Sequence, residues 1–261
     1  MSQPTPLPDP LPGDDRSTPA WPPGRVLAVA ATYNESANLA TLVRRVLAAD
    51  PAIQLLVVDD DSPDGTGRSA LSLAETEPRF HVLVRRGRRG LGGAIVEGFG
   101  EARRQGFEIA VNLDADLSHD PDDISRLLAA LEPPGGRPAD VALGSRRVAG
   151  GAIEGWPWRR HLTHRLVCWF TRWVIGVPAR DGSTGFRAVR LDTFARLRGD
   201  LPTGYAFFEH LLWEIHRIGG RIVEVPITFV ERQRGSSKVR PGVMAEAARD
   251  LLRIAWARWR S

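Results

Sequence analysis

The chain has 261 residues, of which 43% are apolar, 25% charged and 7% aromatic. That balance excludes a wholly disordered or collagen-like chain and suits one compact domain with a buried core. A single cysteine, Cys168, excludes an internal disulfide framework, and the formal charge of +4 comes with 34 arginines and one lysine, Lys238. Such a basic excess suits anionic partners, whether phosphates, nucleic acid or acidic headgroups, and does not choose between them.

Residues 1–24 hold eight of the 20 prolines and few aliphatics, and are expected to form a disordered Pro-rich arm. They lack the basic-then-apolar order of a signal peptide. The apolar run Val26–Ala31 reads as a parallel strand buried on both faces. Asn34-Glu35-Ser36 then opens a helix with an apolar stripe at Leu39, Leu42, Val43, Val46 and Leu47. A second buried strand at Ile53–Val58 ends in Asp59-Asp60-Asp61. The alternation continues with a helix through Ala70–Ala74, a strand at His81–Arg85, a helix at Gly93–Arg104 and a strand at Ile109–Leu113. A helix at Asp122–Leu131, capped by Asp120 before Pro121, and a strand at Asp140–Gly144 follow. Strand–helix repetition with short connections predicts an α/β fold, a single doubly wound, mostly parallel sheet flanked by helices. Beyond it come a Trp- and Arg-rich segment at 156–175, a helix at Phe207–Ile218, a strand at Arg221–Val225, a loop at Arg232–Pro241 and a helix at Val243–Trp259. No run of about 18 uncharged apolar residues is present to cross a bilayer.

In open α/β sheets ligands bind at the carboxyl ends of the strands. Here those ends carry Tyr33-Asn34-Glu35, Asp59-Asp60-Asp61 and Asp114-Ala115-Asp116. The first loop is not Gly-x-Gly-x-x-Gly, and Gly87–Gly93 lacks the Gly-Lys-Ser/Thr of a P-loop, so hydride transfer and P-loop chemistry are disfavoured. Because Asp120 already supplies the helix cap, Asp114 and Asp116 are left as hard oxygen ligands for Mg²⁺ or Mn²⁺ with a nucleotide diphosphate.

These motifs resemble the family 2 glycosyltransferases. The ordered set comprises Tyr33-Asn34-Glu35, Val57-Val58-Asp59-Asp60-Asp61-Ser62-Pro63-Asp64-Gly65-Thr66, Gly90-Leu91-Gly92, Asp114 to His119, Gly144-Ser145-Arg146, Thr184-Gly185-Phe186-Arg187 and Pro226 to Phe229 through Arg232, Gly235, Ser237 and Lys238. Within that family the chain most resembles the polyprenyl (dolichyl) phosphate mannose synthases, over residues 26 to 240. The resemblance implies a GT-A-like fold with a catalytic domain over 25–241, whose segment 156–178 faces the acceptor and the membrane. It implies GDP-mannose as donor, a polyprenyl phosphate as acceptor and a β-linked product, made on the cytoplasmic face of a membrane. Tyr33, Glu35, Val58 and Asp60 would hold the nucleoside, with Ala115 lining the donor site. Asp114, Asp116 and Ser118 would hold the metal and diphosphate. Arg232 and Lys238 would close over the phosphates, and Arg146 and Arg160 would receive the acceptor phosphate. The chain departs from many relatives at Ala31, where proline is common, at Ser118, where some have Gln, and at His164, where a small hydroxyl residue is expected.

An acceptor phosphate monoester, with a second pKa of about 6, is already a nucleophile at neutral pH. No general base is therefore required, and the task is to stabilise the departing diphosphate. Trp156, Trp158, Leu162, Leu166, Trp169, Phe170 and Trp173 interleaved with arginines, and the amphipathic helix at 242–261, suit a headgroup boundary. Membrane hold is expected from these helices or from a separate membrane subunit. The same chemistry with UDP-glucose or an amino-sugar donor, and a catalytically silent membrane-surface protein, stay open as alternatives. With its arginines dispersed and no recognisable motif, the chain is not expected to bind nucleic acid.

Overall fold

The computed structural model of the protein describes residues 21–87, 89–198, 200–232 and 241–260. The alternation read from the sequence is present: β1 (Val26–Thr32), α1 (Ser36–Ala49), β2 (Ile53–Asp59), α2 (Thr66–Ala74), β3 (Phe80–Val84), α3 (Leu91–Arg104) and β4 (Ile109–Asn112). A single tight turn at Pro121–Asp123 leads into α4 (Ile124–Leu131), and the Asp120 side chain accepts from the Asp122 N–H at 3.0 Å, the expected cap. Then come β5 (Val141–Ser145), β6 (Ala152–Glu154) and α5 (Trp158–Phe170), which runs on as a wider helical turn at Thr171–Ile175. The chain closes with β7 (Arg187–Arg190), α6 (Leu191–Ala195), α7 (Phe207–Arg217), β8 (Ile222–Pro226), β9 (Thr228–Val230) and α8 (Pro241–Arg260).

Seven strands form one sheet in the order β3-β2-β1-β4-β7-β5-β8. All are parallel except β7, which runs antiparallel to both β4 and β5. β6 and β9 pair in parallel as a separate ribbon. Neither β7 nor this ribbon is expected from the sequence: β7 is four residues with an arginine at each end, and the ribbon strands are three residues each.

Side chains alternate along each central strand, as the period of two requires. Val26, Ala28 and Ala30 of β1 join Leu39, Leu42 and Val46 of α1 and Ile124 and Leu127 of α4 on one side of the sheet. Leu27 and Val29 point to the other side, into a second core with Phe99 of α3, Phe207 and Leu211 of α7 and Ile254 of α8. At Gly98 a Cβ would lie 2.5 Å from Val29, so glycine lets α3 sit directly on β1. Residues 21–24, expected to belong to the arm, pack instead: Trp21 stacks on His81 with ring centroids 3.8 Å apart, and Gln54 Nε2 donates to the Pro22 carbonyl at 2.7 Å. Both cores leave the carboxyl ends of β1, β2 and β4 facing one edge, where the polar loops gather.

Candidate active site

Each of the three acidic loops contains a residue in left-handed backbone geometry: Asn34 (φ 56°), Asp61 (φ 54°) and Leu117 (φ 64°). Among the described residues these are the non-glycine residues at positive φ. Asn and Asp tolerate this region well; Leu117, between Asp116 and Ser118, does so at a cost of about 1–2 kcal/mol. Strain of this kind persists where the surroundings over-determine it, commonly at ligand sites.

The first two loops are stitched together by the Ser-Pro-Asp-Gly-Thr block. Asn34 N–H donates to Ser62 Oγ (3.0 Å), Glu35 N–H to Thr66 Oγ1 (3.0 Å) and Ser36 N–H to Asp64 Oδ2 (3.1 Å). Burial opposes ionisation of Asp64, but hydrogen bonds from Thr66 and Ser36 outweigh it and bring the pKa down to about 2. Glu35 is buried and accepts from Asn38 Nδ2 at 2.8 Å. Asp60, raised in pKa mainly by burial, accepts from Arg85 Nη1 (2.8 Å) and from Gly90 N–H (2.9 Å). Tyr33 lies beneath the Arg89 guanidinium, 4.8 Å from its ring centroid. The Val58 side chain is fully buried in the second core, so what this residue offers a donor is its backbone.

Asp114 and Asp116 leave β4 together, with Ala115 turned into the core between them. The pKa of Asp114 is raised by burial, and the neighbouring Asp116 carboxylate adds to this. Asp116 Oδ1 accepts from Ser118 N–H at 3.1 Å, and its Oδ2 faces Arg232 Nη1 at 3.4 Å. Gly185 lies under this pair: a Cβ there would sit 2.8 Å from Asp114 Oδ1. Asp116, Leu117, Asn38, Thr41 and Arg232 line a cavity of about 300 Å³. An adjoining cavity of about 500 Å³ shares Leu117 and Arg45 and is walled by Ser118, Asp120 and Pro226. The residues fit a hard divalent cation. Two carboxylates supply oxygen ligands, and the Ser118 Oγ, buried at 2% residue exposure, has no hydrogen-bond partner among the described residues.

Arg146 follows β5 and is fixed by a buried carboxylate. Its Nε donates to Asp181 Oδ2 (2.7 Å), its Nη2 to Asp181 Oδ1 (2.8 Å) and its backbone N–H to Oδ2 (3.0 Å). Nη2 also reaches His164 Nε2 (3.0 Å) and Ser183 Oγ (3.2 Å). Asp181 lies far below the usual carboxylate range: the adjacent Arg146 guanidinium overcomes the opposing effect of burial. Arg160 pairs with Glu231 and sits 4.0 Å over the Trp156 ring. Lys238 lies outside the described residues.

Three features of the site were not legible in the sequence. Asp181 sits in a Gly/Ser/Thr stretch that reads as a turn. His119 is buried between Phe186 and Phe229, and its Nδ1 accepts from Asp114 N–H at 3.2 Å; burial lowers its pKa and keeps it neutral. Tyr205 lies in the field of Asp114, Arg232 and Asp116, with its pKa raised chiefly by burial.

A mostly parallel seven-stranded sheet with paired acidic residues at its carboxyl edge defines the class: a glycosyltransferase of GT-A fold. Residues 28–197 match the family model "Glycosyl transferase family 2", and the chain belongs to that family of enzymes. It is 42% identical over 240 residues to the polyprenol monophosphomannose synthase of Mycolicibacterium smegmatis, covering 90% of this chain and 88% of that one. It is 41% identical over 238 residues to the undecaprenyl-phosphate mannosyltransferase of Micrococcus luteus, covering 90% and 96%. A dolichol-phosphate mannosyltransferase of Pyrococcus furiosus is 34% identical over 239 residues, covering 88% of this chain and 63% of its own length. Among solved structures, glucosyl-3-phosphoglycerate synthase from Mycobacterium tuberculosis in complex with Mn²⁺, UDP-glucose and phosphoglyceric acid superposes with a TM-score of 0.66 at 17% identity, covering 90% of this chain and 79% of that one. That likeness speaks for the fold.

Proposed function

We propose that the chain transfers mannose from GDP-mannose to a polyprenyl phosphate, with inversion, giving a β-linked lipid-phosphate-mannose. The observation that carries the reading is that Asp116 and Arg232 face each other across 3.4 Å on the wall of one cavity, in a chain more than 40% identical to two polyprenyl-phosphate mannosyltransferases. Asp114 and Asp116, with Ser118, would hold Mg²⁺ or Mn²⁺. When bound, the ion supplies positive charge to the departing diphosphate. Arg232, 3.4 Å from Asp116, would exchange that carboxylate for a donor phosphate, and Lys238 would join it there. Tyr33, Glu35, Asp60 and the Val58 backbone would receive the nucleoside, with Ala115 beneath it. Of the Arg146 guanidinium, Nη1 is the nitrogen without a partner among the described residues; it and Arg160 would meet the acceptor phosphate.

The reading extends to a membrane surface. Trp158, Leu162, Leu166, Trp169 and Trp173 recur at helical spacing, and each is 54–69% exposed. No acidic residue occurs between Gly155 and Arg180. Among the described residues no helix is long and apolar enough to cross a membrane. A row of exposed tryptophan and leucine on a basic helix suits the headgroup boundary instead. The test is a donor screen: purified protein, a short polyprenyl phosphate, Mg²⁺ or Mn²⁺, and radiolabelled GDP-mannose, UDP-glucose or UDP-N-acetylglucosamine. Lipid-extractable label is expected from GDP-mannose; its absence there, with label from another donor, overturns the donor assignment.

A further inference from the structure

The cluster around Asp181 has a geometry beyond that of an arginine anchor. His164 and Cys168 are four residues apart on α5 and so project from one face, towards Asp181 in the loop beyond. His164 Nε2 lies 3.3 Å from Cys168 Sγ and 3.2 Å from Asp181 Oδ1, and Sγ lies 3.7 Å from Oδ1. Ser183 Oγ adds a fourth vertex, 3.3 Å from Oδ1 and 3.7 Å from Sγ. Zinc bonds of about 2.0–2.3 Å in tetrahedral array put neighbouring nitrogen, oxygen and sulfur ligands about 3.3–3.6 Å apart. The chain thus presents a thiol, an imidazole and a carboxylate at the separations a tetrahedral ion imposes, all three residues buried.

We propose that His164 Nε2, Cys168 Sγ and Asp181 Oδ1, with Ser183 Oγ or water completing the shell, form a binding site for a soft divalent cation such as Zn²⁺, and that its occupation competes with Arg146 for Asp181. The imidazole is ready for it. Its Nε2 lies 3.0 Å from Arg146 Nη2 and 3.2 Å from Asp181 Oδ1, so one ring nitrogen already faces the groups the ion would join. Arg146 Nη2 stands where the ion's charge would act, at 2.8 Å from Oδ1, 3.0 Å from Nε2 and 3.2 Å from Ser183 Oγ. A guanidinium and a divalent ion at such separations repel strongly. On binding, the sulfur–metal bond forms, the thiol proton leaves to solvent, and Nη2 gives up Oδ1. Nε and the backbone N–H of Arg146 keep Oδ2. The site shares no ligand with the Asp114–Asp116 carboxylates, whose oxygens favour hard ions, although Arg146 feels the charge of Asp114. Its effect on turnover rests on the proposed role of Arg146 toward the acceptor phosphate; its existence does not.

Because Cys168 is the only cysteine, cobalt reports on this site without ambiguity. Titrating the metal-free full-length protein with Co²⁺ should develop a thiolate-to-cobalt charge-transfer band and an intense tetrahedral visible band at one equivalent, both abolished by added Zn²⁺. Cys168→Ala and His164→Asn should each lose the charge-transfer band while keeping the wild-type circular dichroism spectrum. A wild-type protein without that band, or a His164→Asn variant with it undiminished, overturns the site. In the Mg²⁺-supported transfer assay, Zn²⁺ should inhibit the wild type at concentrations at least tenfold below those needed for Cys168→Ala, whose uninhibited rate stays normal. Equal inhibition of the two overturns the competition with Arg146. Loss of the cobalt signal and loss of mannosyl transfer are separate measurements, so failure of one reading is distinguishable from failure of the other.

Discussion

Asp116 has two tasks that a substitution can separate. Its Oδ1 holds the Ser118 N–H and so the strained turn at Leu117, while the net charge faces Arg232. Asp116→Asn keeps an acceptor oxygen for the turn and removes the charge. Mannosyl transfer is expected to fall by at least about 100-fold, with circular dichroism and thermal midpoint close to wild type; a variant retaining a tenth of the activity would remove Asp116 from the site. Gly185→Ala tests the support beneath the pair. The backbone there tolerates a side chain, but the new Cβ would lie 2.8 Å from Asp114 Oδ1 and 3.4 Å from the Phe208 ring, so the carboxylate must yield. Transfer should drop by about 10–100-fold, since small displacements at reacting centres are costly, while the midpoint moves by only a few degrees. Unchanged kcat and KM would show that Asp114 has room to spare. Asp114 and Asp116 stand out in the sequence as candidates because they follow the end of a strand and have no capping role. Asp181 was not, because a carboxylate at the bottom of an arginine pocket leaves no periodic or spacing signal, and Val58 could not be told from any other core valine.

At the scale of elements, the β7–α7 contact holds two buried ionisable groups with separate arrangements. Arg187 on β7 donates to the backbone carbonyls of Thr184 and, at 2.9 Å, Phe208, and sits 4.6 Å over the Phe208 ring. Glu209, the next residue on α7, is pushed up from its ordinary 4.5 to about 7, chiefly by burial, with Arg187 only partly opposing this. Between those values the unfolded chain has released a proton that the folded chain retains, so this group's contribution to stability falls as pH rises from about 4.5 to 7 and is level beyond. Glu209→Gln carries no such proton. Thermal unfolding from pH 5 to 8 should therefore show the variant gaining on the wild type as pH rises; a constant offset would mean that Glu209 titrates normally. Here the sequence was least informative. Long strands and helices declare themselves by period, whereas β7 is four residues whose first arginine is wholly buried, and the β6–β9 ribbon exists only through pairing across 76 positions of sequence, as between Ala152 and Thr228.

For the whole molecule, the asymmetry that matters is between the buried and uncovered sides of its last helices. Ile254 and Ala255 of α8 enter the second core, and Arg258 Nη1 donates to the Val174 carbonyl at 2.6 Å, tying α8 to the turn that follows α5. Outside this joint, Trp173 on one element and Trp256 and Trp259 on the other remain more than half exposed. On the proposed reading this surface meets a membrane, and the absence of acidic residues along α5 would suit an anionic headgroup layer. Leu166→Glu combined with Trp169→Glu places two carboxylates on that row without touching either core, because both side chains are more than half exposed. Each loses about 1.5–3 kcal/mol of apolar burial on partition and adds repulsion from anionic lipid. Sedimentation with phosphatidylglycerol vesicles should weaken by at least about 100-fold, by that arithmetic, whereas the thermal midpoint and transfer to a short, detergent-soluble polyprenyl phosphate stay near wild type. If the double variant sediments like the wild type, the row does not face lipid; if transfer to the short acceptor collapses as well, α5 serves the reaction centre directly rather than delivering it to the membrane.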